Sequence, residues 1–225
     1  MKKLIVALDV NSFKKAKKLV NTLTPYVDIF KIGSELFTSC GPAVISYING
    51  KKRKVFLDLK FHDIPNTVAS SARAAARHGV FMFNIHASGG YDMMRMAQAA
   101  VKDETKRLKI KKPVVLGVTV LTSEKKKDTA KEVVRLAKLS KKACLDGVVC
   151  SAGETKRVKK ACGRKFIVVN PGVRPERAAK NDQKRITTPR EAVRNGADFI
   201  VVGRPITQAR SPVSAAKRIS EEMAA

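Results

Sequence analysis

Eight short apolar runs rich in β-branched residues recur along the chain, and amphipathic stretches separate them. The runs are Leu4 to Asp9, Asp28 to Gly33, Val55 to Lys60, Phe81 to Ala87, Pro113 to Val120, Gly147 to Ser151, Phe166 to Asn170 and Phe199 to Gly203. Uninterrupted apolar runs are typical of parallel strands that are buried on both faces. Eight β/α alternations in 225 residues predict an α/β fold, a (β/α)8 TIM barrel formed as one domain over residues 1–225.

The stretches between the runs have the spacing of helices with one apolar face. They include Ser12 to Leu23, Asn66 to His78, Tyr91 to Lys102, Thr129 to Lys142 and Pro205 to Met223. A doubly wound open sheet is the alternative arrangement for alternating strands and helices. That fold favours a G-x-G-x-x-G turn after an early strand, and the sequence contains no such turn.

Polar residues follow many of the predicted strands, at the end of a TIM barrel where chemistry takes place. They are Asp9, Lys31, Asp58 with Lys60, His86, Thr122 with Ser123, Ser151, Asn170 leading into Pro171-Gly172-Val173-Arg174, and Gly203-Arg204. Strand three is the most informative, because a period of two directs Asp58 and Lys60 to one face and Asp63 follows in the next loop. Burying these charges is costly unless they pair or act on a ligand, so we expect an active site here.

The last two strand ends contain a candidate phosphate site. Gly203 and Arg204 follow strand eight and precede a helix that is predicted to start near Pro205. Barrels often bind phosphate with the loops after strands seven and eight, and an arginine adds a bidentate partner. The segment Asp182-Gln183 in loop seven would close over the same ligand. Alternatively, these are ordinary polar residues of surface loops.

The charge of the chain is strongly unbalanced. Lys and Arg number 46 against 19 Asp and Glu, a net charge of +27. One interpretation is a solvated cationic surface, natural or engineered, and the other is association with polyanions such as nucleic acid. Tryptophan is absent and aromatic residues make up only 5%, which disfavours base stacking. Charge alone predicts non-specific, salt-sensitive binding of polyanions.

Targeting and redox signals are few. No run of about eighteen apolar residues occurs, so the sequence predicts no membrane span. The apolar run after Met1 is too short for a signal peptide. Four cysteines without C-x-x-C spacing predict reduced thiols in a cytoplasmic protein.

The segment Asp58-Leu59-Lys60-Phe61-His62-Asp63-Ile64-Pro65-Asn66-Thr67 matches the motif D-x-K-x-x-D-I-P-N-T. Through this motif the chain resembles the orotidine 5′-phosphate decarboxylase family, and the resemblance extends over nearly its whole length. Further matches, in order, are Leu8-Asp9, Phe30-Lys31-Ile32-Gly33, His86-Ala87-Ser88-Gly89-Gly90, Val120-Leu121-Thr122-Ser123, Asp146 to Ser151, Pro171 to Pro175, Asp182-Gln183 and Val202 to Thr207.

The resemblance implies a homodimeric barrel that converts orotidine 5′-monophosphate (OMP) to UMP in pyrimidine biosynthesis, without a metal or an organic cofactor. It assigns Lys31, Asp58, Lys60 and Asp63 to a charged catalytic array, with Lys60 as the proton donor. In the family, the second aspartate acts across the dimer interface, and here Asp63 would do so together with Ile64 and Thr67.

The same resemblance assigns the substrate contacts. Asp9 and Lys31 would hold ribose hydroxyls, and Thr122 or Ser123 the edge of the pyrimidine. The remaining substrate-binding positions, mostly around the phosphate, would be Pro171, Arg174, Gln183, Gly203 and Arg204. The chain departs from the family pattern in a short loop after Ser123, in Asn170 where threonine is common, and in Phe81 and Phe83.

Two other functions compete with this interpretation. Related Mg²⁺-dependent sugar-phosphate decarboxylases share D-x-K-x-x-D but have an acid where Lys31 stands, and Lys31 would repel a cation. The second is a cationic scaffold that binds nucleic acid on an inactive barrel. Retention of every charged catalytic position argues against inactivity but leaves room for a second, charge-driven role.

Overall fold

The computed structural model describes residues 3–121, 128–175 and 187–224. In these ranges, eight parallel strands pair in chain order and the last strand closes on the first. The strands are β1 (Leu4–Ala7), β2 (Ile29–Gly33), β3 (Lys54–Phe61), β4 (Met82–His86), β5 (Val114–Val118), β6 (Gly147–Val149), β7 (Ile167–Asn170) and β8 (Phe199–Val202). The predicted TIM barrel is therefore confirmed, and each predicted run agrees with one strand to within two residues.

Helices connect the strands around the outside of the barrel. The α-helices in the described residues are α1 (Phe13–Leu23), α2 (Ser34–Cys40), α3 (Ala43–Gly50), α4 (Pro65–Arg77), α5 (Gly90–Leu108), α6 (Thr129–Lys142), α7 (Thr155–Cys162), α8 (Pro189–Arg194), α9 (Arg204–Thr207) and α10 (Pro212–Ala224), and a short 3-10 helix, Ala87–Gly89, precedes α5. Local signals fix several starts: the Ser12 side chain caps α1, Thr188 and Glu191 form a capping box at α8, and Pro65 opens α4.

The predicted helix from Pro205 to Met223 was wrong as one element. The chain forms two helices there, the four-residue α9 and the longer α10, with a turn between them. Pro212 explains the break, because a proline has no N–H to donate and its ring clashes with the carbonyl four residues earlier.

The barrel interior changes character along its axis. Its floor is apolar and is built from Ile5, Ala7, Ile29, Phe56, Met82, Leu116, Val169, Phe199 and Val201. Two residues further along β2, β3 and β4, on the same inward face, stand Lys31, Asp58 and Asn84. The apolar floor therefore ends at the level where the polar side chains begin, towards the carboxyl ends of the strands.

Two carboxylates have a structural role at the opposite end of the barrel. Asp146 Oδ2 accepts from the Val115 N–H at 2.8 Å, and Asp198 Oδ2 accepts from the Val168 N–H at 2.8 Å. Each also accepts from a lysine. These pairs tie neighbouring strands together at their amino ends, and the helices pack against the outer face of the sheet around a large apolar core.

Within the described ranges, no helix is both long and apolar enough to cross a bilayer.

Candidate active site

Three charged side chains meet at the open end of the barrel. Lys60 Nζ lies 2.8 Å from Asp58 Oδ1, and Lys31 Nζ lies 3.2 Å from Asp58 Oδ2. Lys31 Nζ also lies 3.0 Å from Asp9 Oδ1. The side chains of Lys31 and Asp58 are only 11% and 13% exposed, so their charges are largely removed from water. The structure thus brings together Lys31, Asp58 and Lys60 of the predicted array, with Asp9 beside Lys31, but not Asp63 of the same chain.

Burial and attraction oppose each other in this array. Burial alone would lower the pKa of Lys31, but the neighbouring charges of Asp58 and Asp9 outweigh it and raise that pKa. Burial alone would raise the pKa of Asp58, but Lys31, Lys60 and a hydrogen bond from Asn84 lower it. Both Lys31 and Asp58 are therefore charged at neutral pH.

The proximity of Asp58 and Lys60 is confirmed, but β3 is not a regular strand at this point. Lys60 has φ of 52°, and the register between β3 and β4 shifts between Leu57 and Phe61. Asp58 and Lys60 are therefore neighbours as predicted, but on an irregular backbone and not on the regular strand that a period of two assumes. An irregularity of this kind, a β-bulge, re-aims side chains and is common beside active sites.

A cavity of about 190 Å³ opens beside the array. Lys31, Asp58 and Lys60 form its charged side. The rest of its lining is Phe56, Val118, Val120, Leu121, Val149, Cys150, Pro171 and Val201. A mostly apolar cavity with a few converging polar groups is typical of a site for a small molecule. Pro171, predicted to contact substrate, is one of its lining residues.

A wider cleft of about 800 Å³ adjoins this cavity, and Val120 and Leu121 line both. The rings of His62 and His86 lie on its wall with their centroids 5.2 Å apart.

Asp63, Ile64 and Thr67 lie on the surface, outside the lining of the small cavity. Asp63 Oδ1 accepts from the Ile64 N–H at 2.6 Å, just before α4. Ile64 is 66% exposed, which is unusual for a large apolar side chain. In this chain, Asp63, Ile64 and Thr67 therefore do not line the cavity that contains Lys60.

The predicted phosphate region is only partly described. A Cβ added to Gly203 would lie 3.4 Å from Asp9 Oδ2, so the end of β8 stands against the array. Arg204 is exposed at the start of α9. Arg174 is buried, and its backbone N–H donates to Thr187 O at 3.1 Å. Thr122, Ser123, Gln183 and the loop after Ser123 lie outside the described residues.

Sequence reasoning missed Asn84. It is 1% exposed on β4 and donates from Nδ2 to Asp58 Oδ1 at 2.6 Å. A signal was present, because Asn84 is a polar residue inside the apolar run Met82–His86 and shares its inward face with His86. Asn170, noted as a departure from the family, is also fully buried and donates to Cys150 O at 2.9 Å.

No group of three or more His, Cys, Asp and Glu side chains in the described part of the chain is arranged to hold a metal ion.

Comparison with known proteins gives one consistent family. The family model described as "Orotidine 5′-phosphate decarboxylase / HUMPS family" matches residues 2–219. The chain is 52% identical to the orotidine 5′-phosphate decarboxylase of Syntrophotalea carbinolica, with 100% of this chain and 96% of that protein covered. It is 48% identical to the enzyme of that name from Syntrophomonas wolfei, with 98% of this chain and 97% of that protein covered.

A crystal structure of orotidine 5′-phosphate decarboxylase from Lactobacillus acidophilus has a TM-score of 0.87 and 36% identity to this chain, with 100% of both chains covered. The likeness thus covers the barrel as well as the sequence. The chain belongs to the orotidine 5′-phosphate decarboxylase / HUMPS family.

Proposed function

We propose that this chain decarboxylates OMP to UMP without a metal ion, with Lys60 as the proton donor. The observation that carries the proposal is the pair of ammonium groups on Asp58 at the edge of a mostly apolar cavity. Membership of the family supports OMP as the substrate, and the charged array supports the proposed chemistry.

The reaction needs a cation at the carbon that loses CO2. The C6–carboxylate bond breaks, CO2 leaves, and the electron pair remains on C6 of the pyrimidine. Lys60 Nζ stabilises that developing charge and then transfers a proton to C6, which gives UMP and a neutral amine. Solvent returns a proton to Lys60, so the cycle consumes one OMP and one proton.

Asp58 serves this chemistry by holding both lysines in place. Its two oxygens accept from Lys60 and from Lys31, so neither ammonium is free to rotate away. The substrate phosphate is remote from the bond that breaks. Its binding at Arg174, Gly203 and Arg204 would provide energy for organising the site.

The competing Mg²⁺-dependent chemistry fits these contacts poorly. Both Asp58 oxygens already have cationic partners, at 2.8 Å and 3.2 Å. A divalent ion bound there would have to displace two ammonium groups and would be repelled by them.

The activity is tested by following the loss of OMP absorbance and identifying UMP by chromatography, in excess EDTA and again with added Mg²⁺. We expect equal rates and stoichiometric UMP. An absolute requirement for Mg²⁺, or no turnover of OMP by folded protein, would reject the proposal.

We also propose that the active form is a homodimer in which Asp63 and Thr67 complete the neighbouring subunit's site. The exposed Ile64 supports this, because a large apolar side chain at 66% exposure beside two catalytic-motif residues is suited to burial by a partner. The exposed position of Asp63, outside the cavity that Lys60 lines in the same chain, also favours action in trans.

Mixing two inactive variants tests this arrangement. Lys60→Ala and Asp63→Asn should each be inactive alone. In a heterodimer, one site combines both changes and the other has neither, so an equimolar mixture should recover about a quarter of wild-type activity. No recovery after complete subunit exchange would contradict a shared site.

A second, charge-driven role is favoured by the end of the barrel opposite the site. The loops that precede the strands there present the exposed cations Lys51, Lys52, Lys109, Lys111, Arg164 and Lys165. Asp146 and Asp198, at the same end, are already paired with lysines. We propose that this cationic end binds the phosphate backbone of nucleic acid while the catalytic end stays open.

Binding is measured by fluorescence anisotropy of a labelled DNA duplex over a range of salt concentrations. Changing the six cations of the cationic end to glutamine should weaken binding and flatten its salt dependence, with OMP turnover retained. The matched control changes six helix cations: Lys14, Lys15, Lys18, Lys102, Lys131 and Lys138. Equal loss in both sets would contradict a localised surface, and salt-independent binding would contradict an electrostatic one.

We propose a cytoplasmic location as well. All four cysteines are free thiols, as is typical of proteins from reducing compartments. Fractionation of native cells with an antibody to the chain would test it.

A further inference from the structure

The ladder between β3 and β4 is irregular beside the active site. Phe56 pairs with Met82 and Leu57 with Phe83, and the next pair is Phe61 with Ile85. Between the last two pairs, β3 has two more residues than β4. The extra length contains Asp58 and Lys60, and Lys60 takes a left-handed backbone with φ of 52°. A lysine rarely adopts that conformation unless the surrounding structure enforces it.

A side chain replaces the missing ladder contact. Asn84 Oδ1 accepts from the backbone N–H of Lys60 at 2.8 Å. Asn84 Nδ2 donates to Asp58 Oδ1 at 2.6 Å, and the same oxygen accepts from Lys60 Nζ at 2.8 Å. Three residues thus form a closed ring in which both ends of Lys60, its backbone and its ammonium, are held.

The two contacts need opposite hydrogen-bonding groups on one side chain, which an amide provides. The Lys60 N–H requires an acceptor, and the Asp58 carboxylate requires a donor. Asn84 offers one of each, and its burial at 1% exposure leaves no water to take over either contact. On the β3 side of Asn84 lie the charged residues Asp58 and Lys60, and Lys31 pairs with Asp58. On the β5 side, the residue paired with Asn84 is the apolar Leu116.

We propose that Asn84 is a positioning residue, which holds the β3 bulge and thereby aims the Lys60 ammonium at the reacting carbon. Asn84 does not line the cavity, and it acts through Asp58 and Lys60. The inference rests on the proposed function, because the position of Lys60 matters to the rate only if Lys60 is the proton donor.

The kinetic test uses Asn84→Leu, which keeps the volume and removes both polar atoms. We expect kcat to fall about 10- to 100-fold, because misplacing a catalytic group by about 1 Å costs a factor of that order. KM should stay within about threefold, since the ribose and phosphate contacts are untouched. Wild-type kcat in folded Asn84→Leu would overturn the proposal.

The matched control is Gln98→Leu. Gln98 on α5 is another buried amide, and its Nε2 donates to Cys144 O at 2.7 Å, a contact that involves none of the array residues. This change also removes a buried hydrogen bond but leaves the array intact, so kcat should be retained. An equal fall of kcat in both variants would show general destabilisation and would contradict a specific role for Asn84.

Asn84→Asp tests the role of Asn84 through the pH dependence of kcat, which should not change if Asn84 only stabilises the fold. A carboxylate at this position faces Asp58, so the two would share one proton. While that proton is held, residue 84 can still donate and the variant should be active. We expect kcat to fall as pH rises and the proton is lost, with no such fall in wild type. Identical pH profiles for wild type and Asn84→Asp would overturn the proposal.

A crystal structure of Asn84→Leu separates this inference from the proposed function, because it does not depend on turnover. We expect φ of Lys60 to leave the left-handed region and the Lys60 Nζ to Asp58 Oδ1 distance to exceed hydrogen-bond range. An unchanged bulge and distance would refute the positioning role even in an active enzyme. Inactive wild type with the expected change in the variant would refute only the proposed function.

Discussion

Asp58 determines the electrostatics of the site at the level of single residues. Its carboxylate lies between two ammonium groups and accepts from one amide, and its side chain is only 13% exposed. Replacing that charge would leave Lys31 buried with Asp9 as its remaining carboxylate in the array. Breaking a buried ion pair from one side is costly, because the surviving charge stays out of water.

We therefore predict that Asp58→Asn lowers the free energy of unfolding by about 3 kcal/mol at pH 7, measured by urea denaturation. The control is Asp9→Asn, since Asp9 also pairs with Lys31 but its side chain is 55% exposed. That change should cost less than about 1 kcal/mol, as for a solvent-exposed pair. Equal costs for the two variants would contradict this account.

The difference in the free energy of unfolding between wild type and Asp58→Asn should depend on pH, and the direction of the pKa shift of Asp58 determines in which direction. Because the pKa of Asp58 is lowered in the folded protein, its stabilising effect is present above the ordinary value of 3.8. It is lost as pH falls through the folded value. The difference between wild type and Asp58→Asn should thus be constant down to about pH 4 and shrink below it.

At the level of elements, a buried carboxylate anchors α4, the helix that follows the D-x-K-x-x-D motif. Glu104 on α5 is 5% exposed and pairs with Arg77 at the end of α4 and with Arg107. Hydrogen bonds from Arg107 and Arg77 lower the pKa of Glu104 to about 2. Because α4 begins at Pro65, this pairing helps to fix the helix that carries Thr67.

We predict that Glu104→Gln lowers Tm at neutral pH and that its deficit disappears in acid. The lowered pKa means that the contribution of Glu104 is complete above 4.5 and is lost as pH falls towards about 2. Thermal unfolding from pH 7 to pH 2 checks this. Glu132→Gln, which breaks an exposed pair with Arg135, should have a smaller effect. A deficit that persists unchanged at pH 2 would contradict the assignment.

The elements also show what the sequence could predict. Strands buried on both faces leave continuous apolar runs, so all eight were found, and Lys31, Asp58 and Lys60 follow from their inward positions. The bulge at Lys60 was not predictable, because it depends on a register shift between two strands. Asn84 had a local signal, as a polar residue inside an apolar run, but its contacts with Lys60 and Asp58 depend on that register shift. The break between α9 and α10 had a local signal, Pro212 itself, but the helical spacing of the apolar residues continues across it and favoured a single helix.

At the scale of the whole molecule, the net charge of +27 opposes association. In the proposed homodimer, two copies that bring their Asp63 segments together also bring two cationic barrels together. The repulsion between them is long-ranged and is screened by salt, whereas burial of Ile64 is not.

We therefore predict that the dimer becomes tighter as salt rises from about 50 mM to about 500 mM NaCl. Over this range the Debye length, the distance over which charges interact, shortens markedly. Analytical ultracentrifugation measures the dissociation constant, and activity at low enzyme concentration should follow it. The Ile64→Ala variant should dissociate more readily at both salt concentrations. A wild-type dimer that dissociates on adding salt would show instead that ion pairs hold the interface.

The most direct test of the central claim compares Lys60→Ala with Lys54→Ala in EDTA. Both lysines lie on β3, but Lys54 is at the opposite end, over the ring of Phe81. Lys60→Ala should lose at least about a thousandfold in kcat for OMP, as expected when a charge-stabilising proton donor is removed. Lys54→Ala should keep wild-type kcat. Folded Lys60→Ala that decarboxylates OMP within about tenfold of wild type would contradict the account.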